Sequence, residues 1–517
     1  MEPRVNRYLA GLTADHRAGV IDLSADLAAT GQIVFVANHR IGEVLTDLQK
    51  RGLVAVGGVV RLGADGRGPC HMMHAASSYP SMPDDILVIT PLHEAGNNFI
   101  DQAFASLLAQ EDPHWQWRIL ENANGRVPDE IAKHPRVQVL QSEATGIGAL
   151  KRQLALSEPS LPITVELDCD DTLTPDALAK IRAAYVPGAF IYSDCVEYRD
   201  DAAYTGKQAR WPGFPFGEKY GWTHREVEAM GGRYIAMHAA PVTAHNIRLI
   251  YWCPNHVRAW CSTMYRMVGG HDASLLVADD HDLIVRFFLS GARFVHIPEP
   301  LYHYRVHAQN TVATQNAAIQ NATWQVYNRH IWALAEHYAL EQKLLRVDLC
   351  GAIDPKPGYL VLDLAQPDAA HGITTGMISC DLNERWPLAD NTVGVLRAHD
   401  AIEHLRDPIH TMNEAHRVLA PGGFLMISVP SSSGKGAFCD PTHVSYWNDL
   451  SFRYYTDQHF ARYISRFKGR FQLLRCIEWY PSDWHRTVNM PYVEAHLVKL
   501  GEGYEPMGEV LWPTRQG

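Results

Sequence analysis

The sequence contains no run of about 18 apolar residues, so no membrane-spanning helix is expected. Its nine cysteines are odd in number, scattered, and form no CxxC pair. That argues against a disulfide scaffold or a thiolate zinc site and fits a reducing compartment. No HExxH occurs among the 27 histidines. Basic residues are outnumbered, 46 Lys and Arg against 57 Asp and Glu, and the formal net charge of -11 argues against bulk nucleic-acid binding. Residues 1–17 carry several charges and no long apolar core, so no secretory leader is expected and the location expected is cytoplasmic. Internal repeats and low-complexity tracts are also missing.

What is present is an ordinary globular composition, 46% hydrophobic and 20% charged, able to bury a real core. At roughly 100–200 residues per domain, the length suggests two to four domains. Residues 1–84 hold a strand candidate at 33–37, a helical pattern at 41–48 and a β-like stretch at 54–62 ending in the Gly/Asp-rich 63–68. They read as a small α/β accessory region, and the neighbouring His71 and His74 are a weak metal signal. From Asp85 the pattern changes, and the continuous apolar run at 86–90 has the character of a buried parallel strand. Helix candidates at 99–110 and 147–156 alternate with strands at 117–120, 137–140 and 163–167, so a parallel sheet is expected over 85–322. A helical linker follows at 323–344, and further α/β strands lie at 345–349, 359–364, 394–398 and 423–429 of a last domain, 345–517.

Ligands of open α/β sheets sit beyond the carboxyl ends of the strands. Asp168-Cys169-Asp170-Asp171 occupies such a place, directly after the strand at 163–167. Carboxylates two residues apart on this turn can share one hard divalent cation that also takes two diphosphate oxygens. Mg2+ and Mn2+ both suit oxygen ligands. An acidic surface turn with Asp as a helix N-cap is the alternative for the same residues.

The flanking segments are Asp85-Ile86-Leu87-Val88-Ile89-Thr90-Pro91, Ile119-Leu120-Glu121-Asn122-Ala123-Asn124, Ala149-Leu150-Lys151-Arg152-Gln153 and Ala278-Asp279-Asp280-His281-Asp282-Leu283. In this order, and through Tyr302-His303-Tyr304-Arg305-Val306-His307, the chain closely resembles the family 2 glycosyltransferases of the GT-A fold. The resemblance implies a metal-dependent, inverting transfer from a nucleotide-sugar donor to a glycan or protein acceptor. Thr90 and Pro91 would line the nucleotide pocket, and Glu121 would contact the base or ribose. Glu121-Asn122 stands where the family has Asp-Asp, which leaves the base open. Arg152 would help hold the nucleotide. Asp168, Asp170 and Asp171 would frame the metal, Asp170 as the direct ligand. Asp280 falls at the position of the base that takes the acceptor proton, with Asp279 beside it, although acidic residues also suit a helix N-terminus. His307 would reach the diphosphate. His256 and His271 fall in the region that closes over the donor sugar, and 211–222 reads as a long aromatic loop.

A second constellation begins at Val347-Asp348-Leu349-Cys350-Gly351-Ala352 and Gly358-Tyr359-Leu360-Val361-Leu362-Asp363. A strand, a tight turn and a second strand ending in Asp suit an adenosine-type ligand. With Cys380-Asp381, Ala398-His399-Asp400-Ala401-Ile402-Glu403-His404-Leu405 and Leu419-Ala420-Pro421-Gly422-Gly423, it resembles class I S-adenosylmethionine-dependent methyltransferases. By that resemblance Asp348 and Gly351 would face the methionine end of S-adenosylmethionine, Asp363 the ribose and Asp381 the adenine, with His399 closing the pocket. The family's first loop has two or three glycines where this chain keeps only Gly351. His443, in Asp440-Pro441-Thr442-His443, is a candidate base for the methyl acceptor.

The fold expected is therefore α/β: a GT-A domain, a Rossmann-like methyltransferase domain and a small N-terminal accessory region. A bifunctional glycosyl- and methyltransferase leads. Its rivals are a glycosyltransferase with an inactive methyltransferase-like scaffold, and a non-catalytic glycan- or nucleotide-binding protein.

Overall fold

The computed structural model describes residues 34–37, 54–60 and 70–76 as backbone strands, and residues 85–199, 223–248, 256–365 and 376–501 more fully. The expected helix at 41–48, the turn at 63–68, the aromatic loop at 211–222 and the segment 252–255 lie outside the described residues. Packing divides the chain into two units, Met1–His330 and Ile331–Gly517.

In the first unit, β1 (Val34–Ala37), β2 (Val54–Val60) and β3 (Cys70–Ala76) form a separate antiparallel sheet in the order β1-β3-β2. His71 and His74 both fall in β3. The main sheet is 10-stranded. Its parallel half contains β4 (Ile86–Leu92), β5 (Trp115–Glu121), β6 (Val137–Gln141) and β7 (Ile163–Glu166), ordered β7-β4-β5-β6. Helices α1 (Ile100–Leu108) and α2 (Ile147–Leu156) belong to the connections between them. Every residue of β4 is buried, as a strand covered on both faces requires. Each fully buried Ile, Leu or Val there contributes about 1.5–3 kcal/mol.

The other half is largely antiparallel. β8 (Thr172–Leu173), β9 (Ala189–Tyr198), β10 (Thr223–Ala229), β11 (Gly232–His238), β12 (Arg258–Cys261) and β13 (Arg293–Arg305) build it, with β12 inserted antiparallel between β7 and β9. Helix α3 (Asp279–Leu289) precedes β13. The expected parallel sheet is thus met in β4 to β7. The rest was not legible as such, because buried edge and central strands share one apolar pattern.

Helix α4 (Asn316–Glu341) contains the point where the two units divide. The second unit's sheet is 7-stranded: β14 (Leu345–Leu349), β15 (Leu360–Asp363), β16 (Met377–Ser379), β17 (Val393–His399), β18 (Leu419–Pro430), β19 (Phe471–Trp479) and β20 (Tyr492–Lys499). Their order is β16-β15-β14-β17-β18-β20-β19, parallel as far as β18 and antiparallel at β20 and β19. The order reverses at β14, so the crevice where such sheets take ligands opens beyond β14 and β17. Helix α5 (Pro408–Val418) is capped by Asp407, whose side chain accepts from the N–H groups of Ile409 and His410. Among the described residues no helix is long and apolar enough to cross a membrane.

Candidate functional site

β7 delivers its last residue, Glu166, into the sheet, and the chain then turns through Asp168 to Asp171. The end of β13 clamps this turn. The Asp168 N–H donates to the Tyr302 hydroxyl at 3.1 Å, the Arg305 N–H to Asp171 Oδ1 at 2.7 Å, and Arg305 Nε to the Asp170 carbonyl at 2.9 Å. Asp171 Oδ1 thereby anchors the turn, while its Oδ2 is buried without a hydrogen-bond partner. It is 1% exposed, with its carboxylate turned inward onto backbone. Asp168 and Asp170 keep their side chains partly open, 30% and 18% exposed. His256 Nε2 lies 3.7 Å from Asp168 Oδ2, and His307 Nε2 lies 2.8 Å from Asp170 Oδ2. His307 Nδ1 accepts from the Gln309 N–H at 3.2 Å, which leaves Nε2 as the proton-bearing nitrogen that donates to Asp170.

The turn is over-supplied with negative charge. Burial, joined by the carboxylates of Asp170 and Glu166 and opposed by Lys151, pushes the Asp168 carboxyl up to about 6. Asp171 is also held well above the usual carboxylate range by burial and by its two acidic neighbours. Such a group is relieved by a cation at its open edge, so Asp168 and Asp170 fit a hard divalent metal.

Beneath the turn lies a buried ion network that sequence reading passed over. Lys151 Nζ, on α2, is 3.3 Å from Glu166 Oε1, with side chains 6% and 1% exposed. Arg258 Nη1 stands 3.4 Å and His271 Nε2 3.2 Å from the same carboxylate. Arg258 Nη2 also meets Asp280 Oδ2 at 2.7 Å. The network thus runs from Glu166, two residues before the acidic turn, to Asp280 at the start of α3. Burial works against the Asp280 carboxylate, but Arg258 and Lys151 outweigh it and hold the group down at about 2. Lys151 is kept charged despite burial by Glu166, Asp279 and Asp168. The turn into α3 passes through Ala278 at φ +57, a left-handed conformation uncommon outside glycine. The third carboxylate of the acidic box, Asp282, is fully buried and bound by Arg286, Arg329 and His330 at 2.7, 3.0 and 2.9 Å, so it anchors the helix.

The remaining expected residues have local partners of their own. Thr90 is buried, its hydroxyl donating to the Leu167 carbonyl at 2.6 Å and accepting from the Trp117 indole at 2.8 Å. It braces β4 from inside. Pro91 is buried in the same strand. Glu121 Oε1 accepts from the Val127 N–H at 2.7 Å, and the Asn122 amide donates to the Ser142 and Ala144 carbonyls at 2.9 and 3.0 Å. Both residues order the loops at the end of β5. Arg152 donates to the carbonyls of Gly269 and His271, so it holds that loop while its neighbour Lys151 faces the carboxylates. Residues adjacent on a helix point about 100° apart, so Lys151 and Arg152 face different partners. Asp279 is buried, 3.5 Å from His271 Nε2. Glu166 ends an otherwise uncharged buried strand, and a charge buried there demands partners, though the sequence does not say which residues supply them.

In the second unit, Asp363 at the tip of β15 accepts from the N–H groups of Ala352 and Ala365 at 3.0 and 2.9 Å. This ties the first loop to the second strand, as an adenosine pocket requires. Asp348 does not fit its expected role. It is fully buried, and Arg397 Nη1 covers both oxygens at 2.7 and 2.8 Å, so its charge is already met. Gly351 is needed for Asp348 itself, since an added Cβ would lie 2.6 Å from Asp348 Oδ2. Asp381 is exposed and accepts from the Asn383 N–H and amide, both at 2.9 Å. His399 is largely buried against Trp332, ring centroids 5.5 Å apart, and burial lowers its imidazole to about 3. Asp363 is thus engaged by backbone N–H groups and Asp348 by Arg397.

Residues 342–427 match the family described as a methyltransferase domain, so the expected methyltransferase-like domain is present there. The O-antigen biosynthesis protein RfbC of Myxococcus xanthus is 24% identical over 285 residues, 53% of this chain and 20% of that protein. The chain thus spans about one fifth of the length of that curated relative. Among solved structures, S. aureus TarS 1-349 in complex with UDP-GlcNAc is 11% identical with a TM-score of 0.32, covering 49% of this chain and 66% of that one. The mannosyltransferase PcManGT from Pyrobaculum calidifontis in complex with GDP-Man and Mn2+ is 14% identical, also at 0.32, covering 63% and 76%. Likenesses this distant fix neither donor nor chemistry.

Proposed function

We propose that the chain is a metal-dependent, inverting glycosyltransferase that moves a sugar from a nucleotide-sugar donor to a glycan or protein hydroxyl in the cytoplasm. The observation that carries this reading is that the partly open carboxylates Asp168 and Asp170 follow directly on Glu166, which Arg258 bridges to Asp280. Mn2+ or Mg2+, when bound by Asp168 and Asp170, supplies the charge that steadies the departing diphosphate. His307, beside Asp170, extends the same edge toward that diphosphate. The acceptor oxygen attacks the anomeric carbon as the bond to the nucleoside diphosphate breaks, and the acceptor proton passes to Asp280. In this structure Asp280 is a weak base because Arg258 holds it ionised near 2. Movement of the guanidinium toward the diphosphate would raise its basicity as the donor binds. Donor hydrolysis with Mn2+ tests the reading. Wild type should turn over one nucleotide sugar and Asp170→Ala should lose most of that rate; equal rates would refute it.

A second activity, S-adenosylmethionine-dependent methylation of the product, rests on the matched domain and on Asp363, which would hold the ribose. Fusion of the two units would raise the local concentration of the intermediate. A scaffold role for the second unit is favoured by one observation, the neutralisation of Asp348 by Arg397. Calorimetry with S-adenosylmethionine separates the two, because silence at millimolar ligand selects the scaffold.

A further inference from the structure

Beyond the β17 end of the second sheet lies a cavity of about 530 Å3, lined in part by Asp400, Glu403, His404, Asp440 and His443. Glu403 is 2% exposed, and neither of its carboxylate oxygens has a hydrogen-bond partner. The N–H groups of Ala401 and of Glu403 itself lie near the carboxylate without reaching hydrogen-bond geometry. A buried carboxylate left this way is expensive unless something enters the cavity to meet it.

Two imidazoles do not meet it as hydrogen-bond donors, because their N–H groups are committed elsewhere. His443 Nδ1 donates to the Ala437 carbonyl at 3.1 Å. His404 Nδ1 faces the Thr442 hydroxyl at 3.1 Å and the Thr442 carbonyl at 3.3 Å. Each ring is thereby set with a lone pair on Nε2, the tautomer that second-shell carbonyls impose on metal-bound histidines. One ligand atom from each of Glu403, His404 and His443 lies within 4.8 Å of the others. Ligands bonded at about 2.0–2.2 Å span little more than 4 Å, so a small contraction closes the set. The Asp440 carboxylate stands at the rim, with Oδ2 3.9 Å from His443 Nε2.

We propose that Glu403, His404 and His443 form a binding site for a divalent transition-metal cation of the Zn2+ type. Two imidazoles and one carboxylate leave at least one position open, and this donor set favours Zn2+ or Co2+ over Mg2+. The open position faces the cavity, where it would take an oxygen of a hydroxyl-bearing ligand. The other acid–histidine group, Asp194 with His238 and His296, is closed by comparison. Its carboxylate is already bound by Arg225 at 2.7 Å and by the Ala239 N–H at 3.1 Å. The site does not depend on the unit transferring methyl groups.

The test uses the full chain, stripped with chelator and titrated with Co2+, read by visible absorption and by metal content. Asp170→Ala serves as background so that the acidic turn does not contribute. That protein should retain one Co2+ per chain, and adding Glu403→Gln or His443→Asn should weaken Co2+ binding at least roughly tenfold. Metal-free Glu403→Gln should melt close to the parent temperature, because the amide replaces a buried carboxyl of the same shape, so misfolding cannot mimic the loss. His443→Asn gives an independent second readout. An Asp170→Ala protein that binds no Co2+, or a Glu403→Gln or His443→Asn protein that binds it as before, overturns the proposal.

Discussion

Replacing Lys151 by Met removes one partner of the most buried ion pair near the candidate site. At 3.3 Å and an effective dielectric of about 20, the attraction between Lys151 and Glu166 amounts to about 5 kcal/mol before desolvation is counted. Desolvating two ions offsets most of that, so the pair adds little net stability, but breaking it strands a charge. Glu166 would still have Arg258 at 3.4 Å and His271 at 3.2 Å. Lys151→Met is therefore expected at the low end of the usual range for broken buried pairs, about 3 kcal/mol. Glu166→Leu removes the 3.3 Å partner of Lys151 while Arg258 keeps Asp280 at 2.7 Å, and should cost about 3–5 kcal/mol. The double variant should cost less than the sum of the two single losses, by a coupling of about 1–3 kcal/mol. Urea unfolding of the four proteins measures this directly. Strict additivity, or a Lys151→Met effect below about 1 kcal/mol, would refute the reasoning.

Other consequences follow from single contacts. An added Cβ at Gly148 would lie 2.2 Å from the Asp272 carbonyl, so Gly148→Ala should displace the loop that Arg152 holds. It should lower stability by about 1–3 kcal/mol in chemical denaturation and weaken donor binding. His399, His281 and His416 are kept neutral by burial, at about 3, 4 and 4 against an ordinary 6.5. Below 6.5 the unfolded chain binds protons that the folded chain refuses, so stability should fall steadily from pH 6.5 toward 4. Thermal melts across that window check it, and a flat profile contradicts it. Arg258→Met should cut the transfer rate while leaving Mn2+ binding to the acidic turn intact. Loss of metal binding in that variant would show that Arg258 builds the turn itself.

The sequence made some of this architecture legible and concealed the rest for physical reasons. The apolar run at 86–90 and the alternation of strands and helices marked β4 to β7, because a strand buried on both faces must be apolar throughout. Asp168 and Asp170 were visible because carboxylates after such a strand stand at the ligand edge of the sheet. What those carboxylates rest on was not visible. Lys151 and Arg258 are far apart in the chain and meet Glu166 only after β12 inserts beside β7. Asp171 and Asp282 look like Asp170 and Asp280 in sequence, and only burial separates anchors from open groups. In the second unit Asp348 gave no warning of Arg397, which arrives from the neighbouring strand β17. Glu403, His404 and His443 were read as parts of separate motifs, and it is the cavity that joins them.

Thermal shift with a panel of nucleotide sugars, with and without Mn2+, tests the central claim most directly. A donor present at about a hundred times its Kd adds about 2.7 kcal/mol to the folded state. For a unit of this size that is roughly 4 °C. One nucleotide sugar is predicted to raise the melting temperature by that amount in wild type, only when Mn2+ is present, and not in Asp170→Ala. No shift with any donor, or the same shift in Asp170→Ala, would contradict a metal-held diphosphate at Asp168 and Asp170.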